Sequence, residues 1–155
     1  MILNSEFNKH QTVVTDMAGK MTIMMWSGTV DKLLPLAIMT TGAVATDMEV
    51  SIFLSFYGVL GFKKEMVKSN QNYSKDFEQM IPLVKDRQKL TNGYASWYEM
   101  LKKAKATGKV KIRACSGACD LVGVTKDDFD PIVDDVVGIG IYIKEASESQ
   151  ITLFV

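Results

Sequence analysis

Short apolar runs alternate with longer amphipathic stretches along most of this chain. The run over 21–26 is followed by small polar residues, which is typical of a buried parallel strand that leads into a tight turn. Small and apolar residues over 32–46 then predict a largely buried helix, with Pro35 in its first turn. The β-branched and aromatic run over 49–57 predicts a second strand. This order predicts a right-handed strand-helix-strand unit.

A polar region follows the second predicted strand. Residues 61–92 are rich in lysine and asparagine, and a helical pattern over 75–89 is interrupted by Pro82. The pattern predicts an excursion from the sheet. The same polar composition is expected of a lid, an oligomer contact or a plain insertion, so the role of the excursion stays open.

The alternation of strands and helices resumes in the second half of the chain. Apolar residues recur at helical spacing from Tyr94 to Ala104, and Gly108 closes this helix. Charged and apolar residues alternate over 109–114 and predict a strand that leads directly into Cys115. Shorter elements follow, namely helical turns within 118–124, a strand over 132–136, a helix over 139–146 and a strand over 151–155.

The order of these elements predicts the fold class. Strands that alternate with helices favour a single α/β domain with a mostly parallel sheet of about five strands and helices on both faces. This domain is expected to span residues 21–155. Residues 1–20 are polar and aperiodic, and they predict a flexible N-terminal arm.

Composition and charge narrow the class of protein. The chain has 155 residues, of which 47% are hydrophobic, and its 18 basic and 18 acidic side chains cancel. These values are typical of an ordinary globular domain and do not favour a nucleic-acid partner. The longest apolar stretch, 33–45, is shorter than the about 20 residues that span a bilayer, and the N-terminus lacks the pattern of a secretory signal. We therefore expect a cytoplasmic protein without a membrane span.

The cysteine content points to a candidate site. The chain has two cysteines, Cys115 and Cys119, and one histidine, His10, which lies far from them in sequence. Two thiols four residues apart do not form a disulfide framework, and they fall short of the ligands that structural zinc needs. The glycine motifs that bind phosphates or dinucleotides do not occur. We expect no metal and no cofactor, and the thiols become the first candidates for chemistry.

Cys115 lies where a predicted strand becomes a turn. Backbone N–H groups at the start of the following helical segment, and the positive end of its dipole, favour a thiolate and bind anions. A free cysteine is also among the most buried residue types, so inert packing explains this position equally well. Cys119 is either a resolving thiol one helical turn on or an apolar packing residue, and packing is favoured.

The carboxyl ends of the predicted strands offer further candidate groups, because ligands of open parallel sheets bind at that edge. Lys32, just after the first strand, is positioned to add a positive charge for an anion. The candidate binding residues at the three strand ends are Ser27, Gly28 and Thr29, then Phe56, Tyr57 and Gly58, and finally Ser116 and Gly117 beside the thiol.

Several segments, in order, resemble one known family. They are 26–32 (Trp-Ser-Gly-Thr-Val-Asp-Lys), 55–58 (Ser-Phe-Tyr-Gly), 114–116 (Ala-Cys-Ser) followed by 120–124 (Asp-Leu-Val-Gly-Val), 135–140 (Asp-Val-Val-Gly-Ile-Gly) and 151–155 (Ile-Thr-Leu-Phe-Val). Together they resemble the DsrE/DsrF-like sulfur-relay proteins, in the archaeal and bacterial branch formerly labelled peroxiredoxin-like. The resemblance covers residues 21–155.

The resemblance implies a parallel-sheet α/β fold, homo-oligomerisation and a single active cysteine. That cysteine corresponds to Cys115, which would accept sulfane sulfur or a thiosulfonate group and pass it to a small carrier protein of the TusA type. The acidic residue five positions later corresponds to Asp120. Cys119 falls where many relatives have methionine or another residue, which weakens a dithiol mechanism.

Three functional hypotheses follow. The leading one is a sulfurtransferase that carries a persulfide or thiosulfonate on Cys115. The second is a dithiol redox protein that uses Cys115 and Cys119 as attacking and resolving thiols. The third is a non-catalytic subunit that binds a protein or a small anion through the same crevice.

Overall fold

Five parallel strands form a single sheet in the computed structural model, which describes residues 19–90 and 96–155. The spatial order is β4-β3-β2-β1-β5, and all four pairings are parallel. The strands are β1 (Lys20–Met25), β2 (Glu49–Leu54), β3 (Val110–Cys115), β4 (Asp135–Val137) and β5 (Ile151–Phe154). The α-helices are α1 (Val30–Ala45), α2 (Ile81–Leu90), α3 (Trp97–Lys105), α4 (Ser116–Val122) and α5 (Ile139–Ser147). The predicted fold class is confirmed.

The strand order decides which helix covers which face of the sheet. From β1 to β4 the chain steps repeatedly in one direction, and from β4 to β5 it returns across the whole sheet. Right-handed crossovers therefore place α1, α3 and α4 on one face and α5 on the other. We call these the α1 face and the α5 face.

The α1 face holds the main hydrophobic core. Ile23, Ile52 and Ile112, on three neighbouring strands, are fully buried there against Leu33 of α1 and Leu101 of α3. Burial of each such side chain contributes about 1.5–3 kcal/mol relative to exposure. Because successive residues of a strand point to opposite faces, Thr22, Ser51 and Arg113 fall on the α5 face.

Two strands differ from the prediction by more than one residue at an end. β2 ends at Leu54 instead of 57, because residues 56–62 form a 3₁₀ helix that begins at Phe56, a non-glycine residue with φ of 45°. The fourth strand is Asp135–Val137 instead of 132–136. Ile132 belongs to the α1-face core, and its N–H donates to the Asp130 carboxylate at 3.0 Å in a turn typical of aspartate. Apolar alternation alone did not reveal this turn.

Helix starts also differ from the prediction. α4 starts at Ser116, directly after β3, instead of at 118. α1 starts at Val30, so Pro35 lies beyond its first turn. The last predicted helix is confirmed, since it forms α5 (Ile139–Ser147).

The predicted excursion over 61–92 is anchored to the start of α1. A 3₁₀ helix, Lys75–Met80, precedes α2, so Pro82 lies at the start of a helix and does not interrupt one. Ser74 donates to the Asp31 carboxylate through its N–H at 2.9 Å and its hydroxyl at 2.6 Å. Partial burial acts to raise the pKa of Asp31, but these hydrogen bonds outweigh it and hold the pKa below its ordinary value.

The predicted N-terminal arm falls largely outside the described residues, which begin at 19. Lys20, the last residue of that predicted arm, is the first residue of β1. Tyr94 also lies outside them, and α3 begins at Trp97, where Ser96 Oγ accepts a hydrogen bond from the Glu99 N–H. Within 19–90 and 96–155, no helix is both long and apolar enough to cross a bilayer.

Candidate functional site

Cys115 is the last residue of β3 and lies at the carboxyl edge of the sheet. It pairs with Val137 of β4, has an extended backbone with φ of −72° and ψ of 121°, and immediately precedes α4. Its side chain is half-buried, and it packs against the cores of both sheet faces. The thiol is therefore held in place at an edge where ligands of parallel sheets bind.

Four aromatic side chains occupy the same edge, and we call them the aromatic cluster. Trp26 follows β1, Phe56 and Tyr57 follow β2, and Phe154 ends β5. The Trp26 ring lies 5.2 Å from that of Phe56 and 5.5 Å from that of Phe154, and the Phe56 and Tyr57 rings are 4.1 Å apart. Tyr57 and Phe154 are 54% and 65% exposed. Because β2 is the neighbour of β3, this apolar surface begins one strand away from Cys115.

The predicted binding residues after β1 and β2 lie in two loops that contact each other through their backbones. A Cβ atom on Gly28 would lie 2.8 Å from the Gly61 nitrogen and from the Tyr57 carbonyl oxygen. Gly58 is buried against the Met25 carbonyl group, where a Cβ atom has no room. Close packing thus accounts for both glycines, and their predicted contact with a ligand stays a prediction.

The hydroxyl groups in the first of these loops are half-buried and hydrogen-bonded to each other. The Ser27 and Thr29 oxygens are 3.1 Å apart, and the Thr29 N–H points to Ser27 Oγ at 3.4 Å. Lys32 is exposed in the first turn of α1. Beside the thiol, Ser116 is half-buried, and Gly117 and Asp120 are exposed on α4. The structure thus places these residues near strand ends or on α4, and their roles stay predictions.

Cys119 has a different environment from Cys115, although it lies only one helical turn further on. It is 4% exposed and belongs to the α1-face core. Burial, with smaller contributions from the nearby Cys115 and Asp120, raises the pKa of the Cys119 thiol to about 11. At neutral pH this thiol holds its proton and is a poor nucleophile.

A polar network lies on the α5 face, two residues before Cys115 on the same strand. The Arg113 guanidinium donates to Glu145 at 2.7 Å, and Ser51 Oγ donates to the other oxygen of that carboxylate. Burial acts to raise the pKa of Glu145, but the bonds from Ser51 and Arg113 outweigh it and lower the pKa below its ordinary value. The Glu145 side chain is therefore charged, and both of its carboxylate oxygens are held by hydrogen bonds.

The sequence analysis missed this network and two members of the aromatic cluster. Trp26 and Phe154 had a usable signal, because strand periodicity places them on the same face as Met24 at neighbouring strand ends. Glu145 had no such signal, since a single glutamate on a helix is most often a solvated residue. In the described parts of the chain, no three His, Cys, Asp or Glu side chains are grouped as metal ligands would be.

The fold and the site together define a class of α/β protein with a half-buried thiol at the carboxyl end of a parallel strand. The family model described as the DsrE/DsrF/DrsH-like family matches residues 17–154. The chain belongs to this family, which confirms the resemblance seen in the sequence and relates the fold to sulfur relay.

Individual relatives agree with this assignment. The Uncharacterized protein YrkE of Bacillus subtilis (strain 168) is 26% identical over 164 residues, which cover 92% of this chain and 100% of that protein. The fold is similar to that of the protein of unknown function MTH1491 from Methanobacterium thermoautotrophicum, with a TM-score of 0.56, 16% identity and coverage of 88% and 99% of the two chains. It is also similar to that of the ychN protein from E. coli, with a TM-score of 0.58, 11% identity and the same coverage.

Proposed function

We propose that this protein is a sulfurtransferase that carries sulfur on Cys115, as a persulfide or a thiosulfonate, and passes it to a partner thiol. The observation that carries this proposal is the half-buried thiol at the carboxyl end of β3, in a chain of the DsrE/DsrF/DrsH-like family. Because Cys115 is half-buried at the carboxyl edge of the sheet, we expect its sulfur to be reachable from that edge. The deep burial of Cys119 and its raised pKa argue for a single active cysteine.

The loading step is a displacement at sulfur. The Cys115 thiolate attacks one inner sulfur of tetrathionate, the central S–S bond breaks, and thiosulfate leaves with the electron pair. The product is Cys115 with a covalently bound thiosulfonate group. With a polysulfide, the same attack leaves a persulfide on Cys115 and releases a polysulfide one sulfur shorter. Neither reaction needs an external oxidant.

The unloading step repeats this displacement with a second thiolate. The acceptor attacks the sulfur bonded to Cys115, takes over the carried group and releases the Cys115 thiolate. We propose that the acceptor is the thiol of a small carrier protein of the TusA type and that the exchange takes place in the cytoplasm, where free thiols stay reduced. We propose that Ser27, Thr29, Tyr57, Ser116 and Gly117 line the crevice and that Lys32 is a partner for the anionic oxygens.

The α5 face favours a further part of the proposal, which is homo-oligomerisation. Three isoleucines of α5, Ile139, Ile141 and Ile143, are exposed, as are Trp26 and Phe154 at the sheet edge. Exposed apolar surface of this kind marks interaction sites. We expect Ile143→Lys to lower the mass measured by sedimentation equilibrium. Leu121→Lys is the control, because Leu121 is 69% exposed on α4.

Intact-mass spectrometry tests the sulfur-carrier activity. Reduced protein is incubated with tetrathionate or polysulfide, excess reagent is removed, and the intact mass is measured. We expect one thiosulfonate or one sulfur per chain, which disappears in Cys115→Ser, persists in Cys119→Ala and moves to a carrier thiol when one is added. If no adduct depends on Cys115, the proposal is wrong.

The same mass measurement tests the dithiol alternative, and a binding and activity assay tests the non-catalytic one. A loss of two hydrogens that requires both cysteines would indicate the dithiol redox mechanism, because it reports a disulfide between Cys115 and Cys119. If partner binding and function survive in Cys115→Ala, the chain is a non-catalytic binding subunit instead.

A further inference from the structure

Glu145 of α5 contacts three neighbouring strands of the sheet. Arg113 Nη1 on β3 donates to its Oε1 at 2.7 Å, and Ser51 Oγ on β2 donates to its Oε2. Lys20 Nζ on β1 lies 3.9 Å from Oε1. The side chains of Arg113 and Glu145 are 22% and 17% exposed. One carboxylate therefore ties α5 to β1, β2 and β3 at once.

The preceding turn of α5 packs into the apolar part of the same face. Tyr142, three residues before Glu145 and so on the same side of the helix, packs with Met24 and Phe53, and its ring lies 5.3 Å from that of Phe53. Cys115 packs against this cluster. A shift of α5 on the sheet would therefore move Tyr142 within the cluster against which Cys115 packs.

Apolar contacts alone do not fix that position. Hydrophobic attraction is non-directional, so Tyr142 would tolerate small shifts of α5 along the sheet. A carboxylate with both oxygens bonded is directional, because donors of fixed position on two strands must be met together. Removing one partner of such a partly buried pair also leaves the other charge poorly compensated, which favours displacement of the helix.

We infer that Arg113, Ser51 and Glu145 are positioning residues that hold α5 in register over Cys115 and thereby limit access to its thiol. The importance of these residues for sulfur transfer rests on the proposed function. Their effect on access to the Cys115 thiol does not depend on it. Arg113 lies on the same strand and face as Cys115, two residues before it, so the pair acts next to the thiol it controls.

The test is the rate of Cys115 alkylation by iodoacetamide and by a bulky maleimide, followed by peptide mass spectrometry that separates Cys115 from Cys119. We expect Glu145→Gln and Arg113→Leu to speed the alkylation of Cys115 by about 5- to 30-fold, the range for losing one or two kcal/mol of local closure. The alkylation rate should rise more for the bulky maleimide than for iodoacetamide. Ser51→Ala, which removes one donor, should have a smaller effect in the same direction.

Two controls distinguish positioning from general loosening of the fold. Arg113→Lys keeps the cation and should stay close to the wild-type rate. Lys102→Ala removes the exposed Lys102–Glu99 ion pair on α3, on the opposite face of the sheet from α5, and should leave the rate unchanged. Cys119, buried in the α1-face core, reports global opening.

The inference is wrong if Cys115 alkylation in Glu145→Gln, Arg113→Leu and Ser51→Ala stays within twofold of the wild-type rate. It is equally wrong if Cys119 accelerates in parallel with Cys115, because the fold as a whole then loosens. A faster alkylation of Cys115 without any sulfur adduct would contradict the proposed function and leave the positioning role intact.

Discussion

The two faces of the sheet differ in what they bury. The α1 face packs branched aliphatic side chains such as Ile23, Ile52 and Ile112 under α1 and α3. The α5 face buries Thr22 and Ser51 among its core residues and includes the Arg113–Glu145 pair. A dry apolar interface supplies stability, whereas the polar groups beside the half-buried thiol are those to which we assign the positioning role. The two cysteines follow this division, because Cys119 lies in the α1-face core and Cys115 faces α5.

The largest expected effect comes from adjacent residues of β3 that point to opposite faces. Ile112→Ala should lower the free energy of unfolding by about 2–5 kcal/mol, because it leaves a cavity in the α1-face core. Lys111→Ala, on the exposed part of the α5 face, should change it by less than about 0.5 kcal/mol. Urea denaturation measures both. Equal losses would contradict the assignment of stability to the α1 face.

The second effect is a loss of stability in alkali. The pKa of Cys119 is about 11 in the folded chain, so the folded state keeps a proton that the unfolded state releases near its ordinary value. Stability is therefore full below the unfolded pKa and falls as the pH rises towards 11. We expect a loss of about 2 kcal/mol that is absent in Cys119→Ala. A Cys119→Ala profile as steep as the wild-type one would assign the loss to other groups.

The third effect appears in acid and belongs to the α5 face. The pKa of Glu145 is lowered in the folded state, so its contribution is present above the unfolded pKa and is lost as the pH falls through the folded value. Between pH 5 and pH 3, the free energy of unfolding should fall more in the wild type than in Glu145→Gln. Parallel acid profiles of the two proteins would show that the network does not stabilise the fold.

The smallest effect is expected for an exposed ion pair outside both cores. Lys126→Ala breaks the Lys126–Asp135 contact of 2.9 Å, in which both side chains are more than half exposed. The change in unfolding free energy should lie within the error of the measurement, because solvent and salt screen such pairs. Thermal unfolding at low and high salt measures it. A salt-dependent loss as large as that for Glu145→Gln would remove the distinction between the network and a surface pair.

The sequence by itself determined the order of strands and helices, the parallel α/β class and Cys115 as the candidate thiol. Local patterns suffice for these features, because strand and helix periodicities and the β3-to-α4 transition at Cys115 are properties of neighbouring residues. Local patterns did not predict strand ends that are set by turns. Examples are Phe56, which has a positive φ, and Ile132, whose N–H bonds to Asp130 in a turn.

Only the tertiary structure decided which groups meet at the site. Glu145 is 32 residues from Arg113 and 94 from Ser51, and they meet because the return crossover from β4 to β5 places α5 across the opposite face. The different burial of Cys115 and Cys119, four residues apart, also depends on which core each side chain enters. Contacts between distant segments follow from strand order and handedness, which no local pattern encodes.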